Sequence, residues 1–135
     1  MTVIQVPSGA PVEARDVTDD VERALIGDGL VWLATPHTTA ALVVSEVDED
    51  LLGDLERTAI ELLAPLEPYA HHKNDNPNAR AHLVSSLLGT SLVLRVQGGV
   101  LDLGTYQRLV FVELDGPRTD RQIKVDMFLA DPSTE

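Results

Sequence analysis

"SLVLRVQGGVLDLGTYQRLVFVELDGPRTDRQIKVDMF", residues 91–128, is a series of short apolar runs broken by turn residues. Ser91–Val96, Val100–Gly104, Arg108–Leu114 and Arg121–Phe128 each read as a strand, with Gln-Gly-Gly and Asp-Gly-Pro-Arg as the turns. Nothing in this stretch keeps a helical period. The C-terminal third of the chain is therefore sheet.

Upstream of it the period changes. From Asp48 to Leu63 the apolar positions Leu51, Leu52, Leu55, Ala59, Leu62 and Leu63 recur at helical spacing, with acidic residues filling most of the rest. Pro65 and Pro68 end that helix. Asn78 can cap a second one running to Gly89, with Ala79, Leu83 and Leu87 in phase. A short helix starts at Thr18, read as its cap, and buries Val17, Val21, Ala24 and Leu25 on one face. Thr2–Val6 and Pro11–Val17 read as paired strands joined by a turn, and Leu30–Ala34 and Ala40–Val44 as buried central strands. Strands, helices and strands again give the α+β class. The expected fold is a single-domain sandwich over residues 1–135, a mostly antiparallel or mixed sheet with about three helices. No repeat or linker divides the chain, and the tail "ADPSTE" reads as frayed.

The length of 135 residues and 44% hydrophobic content suffice for one core. A net charge of -12 repels phosphate backbones and anionic membrane surfaces, so neither nucleic acid nor membrane is an expected partner. No apolar run approaches the roughly 20 residues of a membrane span, and no leader pattern opens the sequence. The expected compartment is the cytoplasm. With no cysteine, disulfides, thiolate metal sites and cysteine nucleophiles are excluded.

Three of the four histidines fall in "PYAHHKNDNPNARAHL", residues 68–83. His is the commonest metal ligand and titrates near neutrality, so His71, His72 and His82 suit a divalent ion, acid–base work or a solvated polar loop. His71 and His72 are adjacent and point opposite ways in an extended loop, which leaves one of them a bystander. His37 ends an apolar strand and is followed by Thr38 and Thr39. Glu46 can act as a base, a metal ligand or a charge near a helix N-terminus. Gln107 offers an amide at a turn; Arg118 and Arg121 flank another, where Arg118 reads as a phosphate fork or an exposed hairpin charge. The usual nucleotide-binding and serine-hydrolase signatures do not occur.

"HTTAALVVSE" (37–46), "YAHHKNDNPNARAHL" (69–83), "SSLLGTSLVLRVQGGVLDLGTYQ" (85–107) and "DGPRTDR" (115–121) together resemble the YjbQ-like family, also called secondary thiamine-phosphate synthases. The resemblance covers nearly the whole chain. It implies a compact α+β fold, assembly as a homotrimer, and a polar pocket at the histidines. His37, Glu46, His71, His82, Gln107 and Arg118 match the family's motif positions, while His72 has no counterpart. Ser45 stands for the usual asparagine, Tyr106 for the usual tryptophan, and "NDNPN" for a glycine-rich acidic stretch.

Two reactions follow as expectations. In one, the protein joins a pyrimidine methyl diphosphate to a thiazole phosphate, with Mg²⁺ or another cation on the diphosphate and an arginine on a phosphate. In the other, His37, His71 and His82 hold a divalent metal, for which three histidines favour Zn²⁺, and the protein is a hydrolase. A third reading makes the pocket a binding site for a small anion. Glu46 and Gln107 are the expected catalytic residues. Thr38, Thr39, Asn78 and Arg118 are expected to bind a small phosphorylated or anionic molecule.

Overall fold

The computed structural model describes residues 1–71 and 77–131, so His72 and the last residues of the tail lie outside the described residues. The strands are β1 (Thr2–Gln5), β2 (Glu13–Asp16), β3 (Gly29–Ala34), β4 (Ala40–Ser45), β5 (Ser91–Gln97), β6 (Val100–Leu101), β7 (Arg108–Glu113) and β8 (Gln122–Leu129). The helices are α1 (Thr18–Glu22), α2 (Glu49–Glu61) and α3 (Ala79–Leu88). A five-stranded sheet has the order β1-β8-β3-β5-β6 and a three-stranded sheet the order β2-β7-β4, all pairs antiparallel.

The layers follow from which side chains each strand turns inward. Val31, Leu33, Val96, Ile123 and Val125 of the larger sheet pack against Leu42, Leu109 and Phe111 of the smaller one, with Val17, Val21 and Leu25 closing the side. The opposite face of the smaller sheet, Ala41, Val110, Val112 and Leu114, packs on Ala59 of α2 and on Ala81 and Val84 of α3. The architecture is thus large sheet, small sheet, helices. A sheet buried on both faces reads as a continuous apolar run even when antiparallel, which accounts for "AALVV" and "LVFVEL". Among the described residues nothing covers the outer face of the larger sheet, where Leu30, Val93 and Phe128 are exposed. Leu30 and Phe128 are paired there, as are Trp32 and Val93.

Four sequence expectations change. β1 and β2 do not pair with each other: β1 joins β8, β2 joins β7, and each sheet takes one. β4 is an edge strand of the small sheet, and its buried appearance comes from sheet and helices above and below. The buried face of α3 is Ala81, Val84 and Ser85, not the Leu83 and Leu87 stripe, which faces outward. Thr18 is the first helical residue of α1 and not its cap; its Oγ1 accepts from Leu109 N at 2.8 Å and donates to Asp16 Oδ1 at 2.7 Å. α2 is capped by Asp48, whose Oδ1 accepts from Leu51 N at 2.7 Å. No helix among the described residues is long and apolar enough to cross a membrane.

Candidate functional site

Three segments meet at one end of the small sheet. The loop from β3 to β4 brings Thr35 to Thr39, the first turns of α3 bring Asn78 and His82, and the turn between β7 and β8 brings Asp115 to Arg121. They enclose an open cleft of about 330 Å³ in which His37, Thr38, Asn78, His82 and Arg118 are wall residues.

A buried ion pair fixes this geometry. Glu113 follows Leu109 and Phe111 in the inward phase of β7, which takes its carboxylate into the interior. Arg121 meets it there: Arg121 Nε donates to Glu113 Oε1 and Oε2 at 2.9 and 3.0 Å, and Nη2 donates to Thr39 Oγ1 at 2.8 Å and Thr39 O at 3.1 Å. Ser8 Oγ donates to Glu113 Oε1 at 2.6 Å and accepts from Arg118 N at 3.0 Å. Leu114 N and Asp115 N each donate to Glu113 Oε2 at 3.1 Å. Burial pushes the Glu113 carboxyl up, but Arg121, Ser8 and the Asp115 N–H outweigh it, so the group lies below the usual carboxylate range. A charge this well matched holds both loops to the sheet.

Arg118 is the arginine left at the surface. Its Nε donates to Asp115 O at 2.9 Å and its Nη2 to Asp115 Oδ2 at 3.1 Å, and Asn78 Nδ2 donates to the same Oδ2 at 3.1 Å. Asn78 occupies the cap position of α3, yet its side chain makes no capping bond and reaches Asp115 instead. Thr39, expected to touch substrate, is buried and has its hydroxyl engaged by Arg121. Thr38 remains exposed at the cleft wall.

His37 is tied down through its ring. Gln122 N donates to His37 Nε2 at 3.1 Å. A neutral imidazole accepts at one nitrogen and donates at the other, so this bond sets the proton on Nδ1. Burial lowers the His37 pKa, and the nearby charge of Arg121 lowers it further, against Asp120 and Glu113. His37 is therefore neutral and presents an N–H donor.

The other two histidines meet each other. The rings of His71 and His82 are 5.1 Å apart between centroids, edge to face at 89°. His82 borders the cleft on the α3 side, while His71 stands at an apolar hollow with Tyr69 and Leu83. A metal needs a lone pair from each ligand, and the one neutral His37 has is held by Gln122. Among the described residues no three His, Asp or Glu side chains form a group able to hold a metal ion. His37 thus has no free nitrogen lone pair in this arrangement, while His71 and His82 meet each other.

Glu46 and Gln107 lie elsewhere in the chain. β4 leaves the His37 loop at Ala40 and ends at Ser45, which pairs with Arg108, so Glu46 and Gln107 sit together at the far end. Six strand residues put roughly 17 Å between that end and the cleft. Gln107 Oε1 accepts from Gly104 N at 2.8 Å and closes its own turn. One chain does not bring these two residues to the histidines.

Glu113 and Thr35 are site residues that the sequence reading missed. Glu113 had a signal, an acid in phase with Leu109 and Phe111 in an apolar run. Thr35 had none, since its surroundings, Thr90 among them, come from distant parts of the chain.

A sequence model described as UPF0047 protein YjbQ-like matches residues 2–129. A UPF0047 protein of Archaeoglobus fulgidus is 49% identical over 116 residues, 83% of this chain and 89% of that one. UPF0047 protein YugU of Bacillus subtilis is 34% identical over 126 residues, covering 88% and 92%. Among solved structures, a hypothetical protein of Aeropyrum pernix K1 superposes with a TM-score of 0.86 at 37% identity, covering 96% of this chain and 98% of that one. A YbjQ-like protein of unknown function from Sulfolobus solfataricus P2 gives 0.85 at 34% identity, covering 96% of each. With a match over nearly its whole length and the same three-layer fold, the chain belongs to the UPF0047, YjbQ-like family.

Proposed function

We propose that the cleft binds the phosphate of a small molecule, and that the protein is a transferase joining a pyrimidine methyl diphosphate to a thiazole phosphate. The observation that carries this reading is the Gln122 bond to His37, which leaves Nδ1–H as the donor of an imidazole lining a cleft that Arg118 also borders. The bonds from Arg118 to Asp115 leave its Nη1 for a ligand oxygen. Asp115 is engaged by Arg118 and Asn78, while Asp120 sets one negative charge against the anion. In the transfer, the C–O bond to the diphosphate breaks, the thiazole nitrogen forms the new C–N bond, and pyrophosphate leaves. Fixed donors where the leaving group gathers charge lower that barrier. The test is product formation from the two precursors by protein prepared from cells lacking the dedicated synthase. Thiamine phosphate that disappears in Arg118→Ala supports the reading, and no product at any protein concentration ends it.

A divalent-metal hydrolase is the second reading, favoured by the His71–His82 ring contact at 5.1 Å. Bound Zn²⁺ would supply an activated water. Elemental analysis of wild type beside His71→Ala and His82→Ala decides it, since metal absent from all three leaves no metal site.

Self-association as a homotrimer is also proposed. The uncovered face of the larger sheet, with Leu30, Val93 and Phe128 exposed, supports it. Glu46 and Gln107 would enter the reaction only from a neighbouring copy. The proposed location is the cytoplasm.

A further inference from the structure

A second cleft, of about 580 Å³, adjoins the first and shares His37, Thr38 and His82 with it. Thr35 lines it, and among the described residues no Asp, Glu, Lys or Arg lines it. Thr35 is 4% exposed, and its Oγ1 is a buried side-chain atom without a partner among the described residues. Its backbone N–H is engaged, donating to Thr90 O at 2.8 Å. A buried hydroxyl without a partner is costly, and such groups in native proteins usually await a water or a ligand.

The surroundings say what chemistry suits the second cleft. Ser86 Oγ donates to His82 O at 3.0 Å, and Ser85 Oγ donates to Ala40 O at 2.6 Å. Their hydroxyl protons are committed, so what these oxygens have left is acceptor capacity. Ser85, Ser86 and Gly89 also lie at the C-terminal end of α3, the negative end of the helix dipole, although Ser85 O accepts from Gly89 N and Gly89 O from Leu42 N. The second cleft thus lies at the negative end of the helix and is rich in acceptors. Asn78 and Arg118 stand at the other cleft, beside the positive end of the same helix. α3 is polarised along the trough that the two clefts make.

We propose that this second cleft is a subsite for an amine or other N–H donor carried by the same phosphorylated molecule, with the Thr35 hydroxyl as the acceptor at its floor. The inference rests on the phosphate reading of the first cleft. The ligand class is a phosphorylated amine whose nitrogen lies roughly 8–12 Å from its phosphate, about two helical turns, the span from Asn78 to Ser86.

The experiment is an amide NMR titration of the full chain with 6-aminohexyl phosphate, hexyl phosphate, hexylamine and inorganic phosphate. Both organic phosphates are expected to shift the amides of Thr38, Asn78 and Arg118. Only the amine-bearing one should also shift Thr35, Ser86 and Thr90, and it should bind about fivefold tighter. Thr35→Val keeps the side-chain shape and removes the hydroxyl. It should raise the melting temperature, erase that gain in affinity and leave hexyl phosphate binding unchanged. Ser86→Ala, an exposed change that spares the fold, should reduce the gain as well. Equal affinity for the two organic phosphates, or a gain that survives in Thr35→Val, overturns the subsite and leaves the phosphate reading standing. If neither phosphate binds but hexylamine shifts Thr35 and Ser86, the subsite stands and the phosphate reading falls. If hexylamine is silent as well, both fall.

Discussion

The backbone N–H of Gln122 donates to His37 Nε2 at 3.1 Å, joining the first residue of β8 to the loop that leaves β3. The bond decides the protonation of the imidazole. Nitrogen-15 spectra of the side chain at neutral pH should show a protonated Nδ1 and an unprotonated Nε2. A ring with its proton on Nε2 would remove the basis for a donor role. The His37 pKa lies below its ordinary 6.5, chiefly through burial. The unfolded chain gains this proton as pH falls through about 6.5, and the native state gains it only lower. The contribution of His37 to stability is therefore complete above 6.5 and is lost below it. His37→Gln keeps an acceptor for Gln122 and cannot titrate, so its stability should be flatter over that interval in denaturant melts taken by pH.

Glu113→Gln leaves the Arg121 guanidinium buried without its counter-charge. A loss of about 3–5 kcal/mol in urea unfolding is expected. Glu113→Leu with Arg121→Met together should cost much less than the sum of the two single changes. Additive losses would show that the pair is not coupled.

The phase of α3 can be read from two truncations. Val84 is 2% exposed and Leu87 is 65% exposed. Val84→Ala should cost roughly 1.5 kcal/mol at about 0.8 kcal/mol per buried carbon, whereas Leu87→Ala should stay within about 0.5 kcal/mol. The reverse order would put the leucine stripe in the core.

Phe128→Glu and Val93→Lys place charges on the uncovered face of the larger sheet. Sedimentation should show wild type as a trimer and both variants shifted toward monomer, with unchanged far-UV dichroism. A wild-type monomer at high concentration would end the proposal of self-association.

Much of the architecture was legible because local chemistry enforced it. The leucine spacing from Asp48 to Leu63 is realised as α2, and β8 begins with the alternation of a strand with one buried face. The errors came where burial is set from a distance. Leu83 and Leu87 keep helical spacing as well as Ala81 and Val84 do, and the small residues were buried because α3 packs closely on β4. "AALVV" reads the same as a central strand and as an edge strand between two layers.

Residue types and spacing determined the α+β class and the positions of the two longer helices, and the family resemblance made His37, Glu46, His71, His82, Gln107 and Arg118 candidates for one site. They did not determine the role of any of these side chains. Whether His37 ligates or donates rests on a backbone N–H 85 residues away. Whether an arginine is free or structural rests on Glu113, which engages Arg121 and leaves Arg118 at the cleft. The same strand geometry that presents His37 at one end of β4 carries Glu46 to the other. Local sequence sets what each group is, but hydrogen-bond partners and burial, which set what it can do, arise only when distant segments pack together.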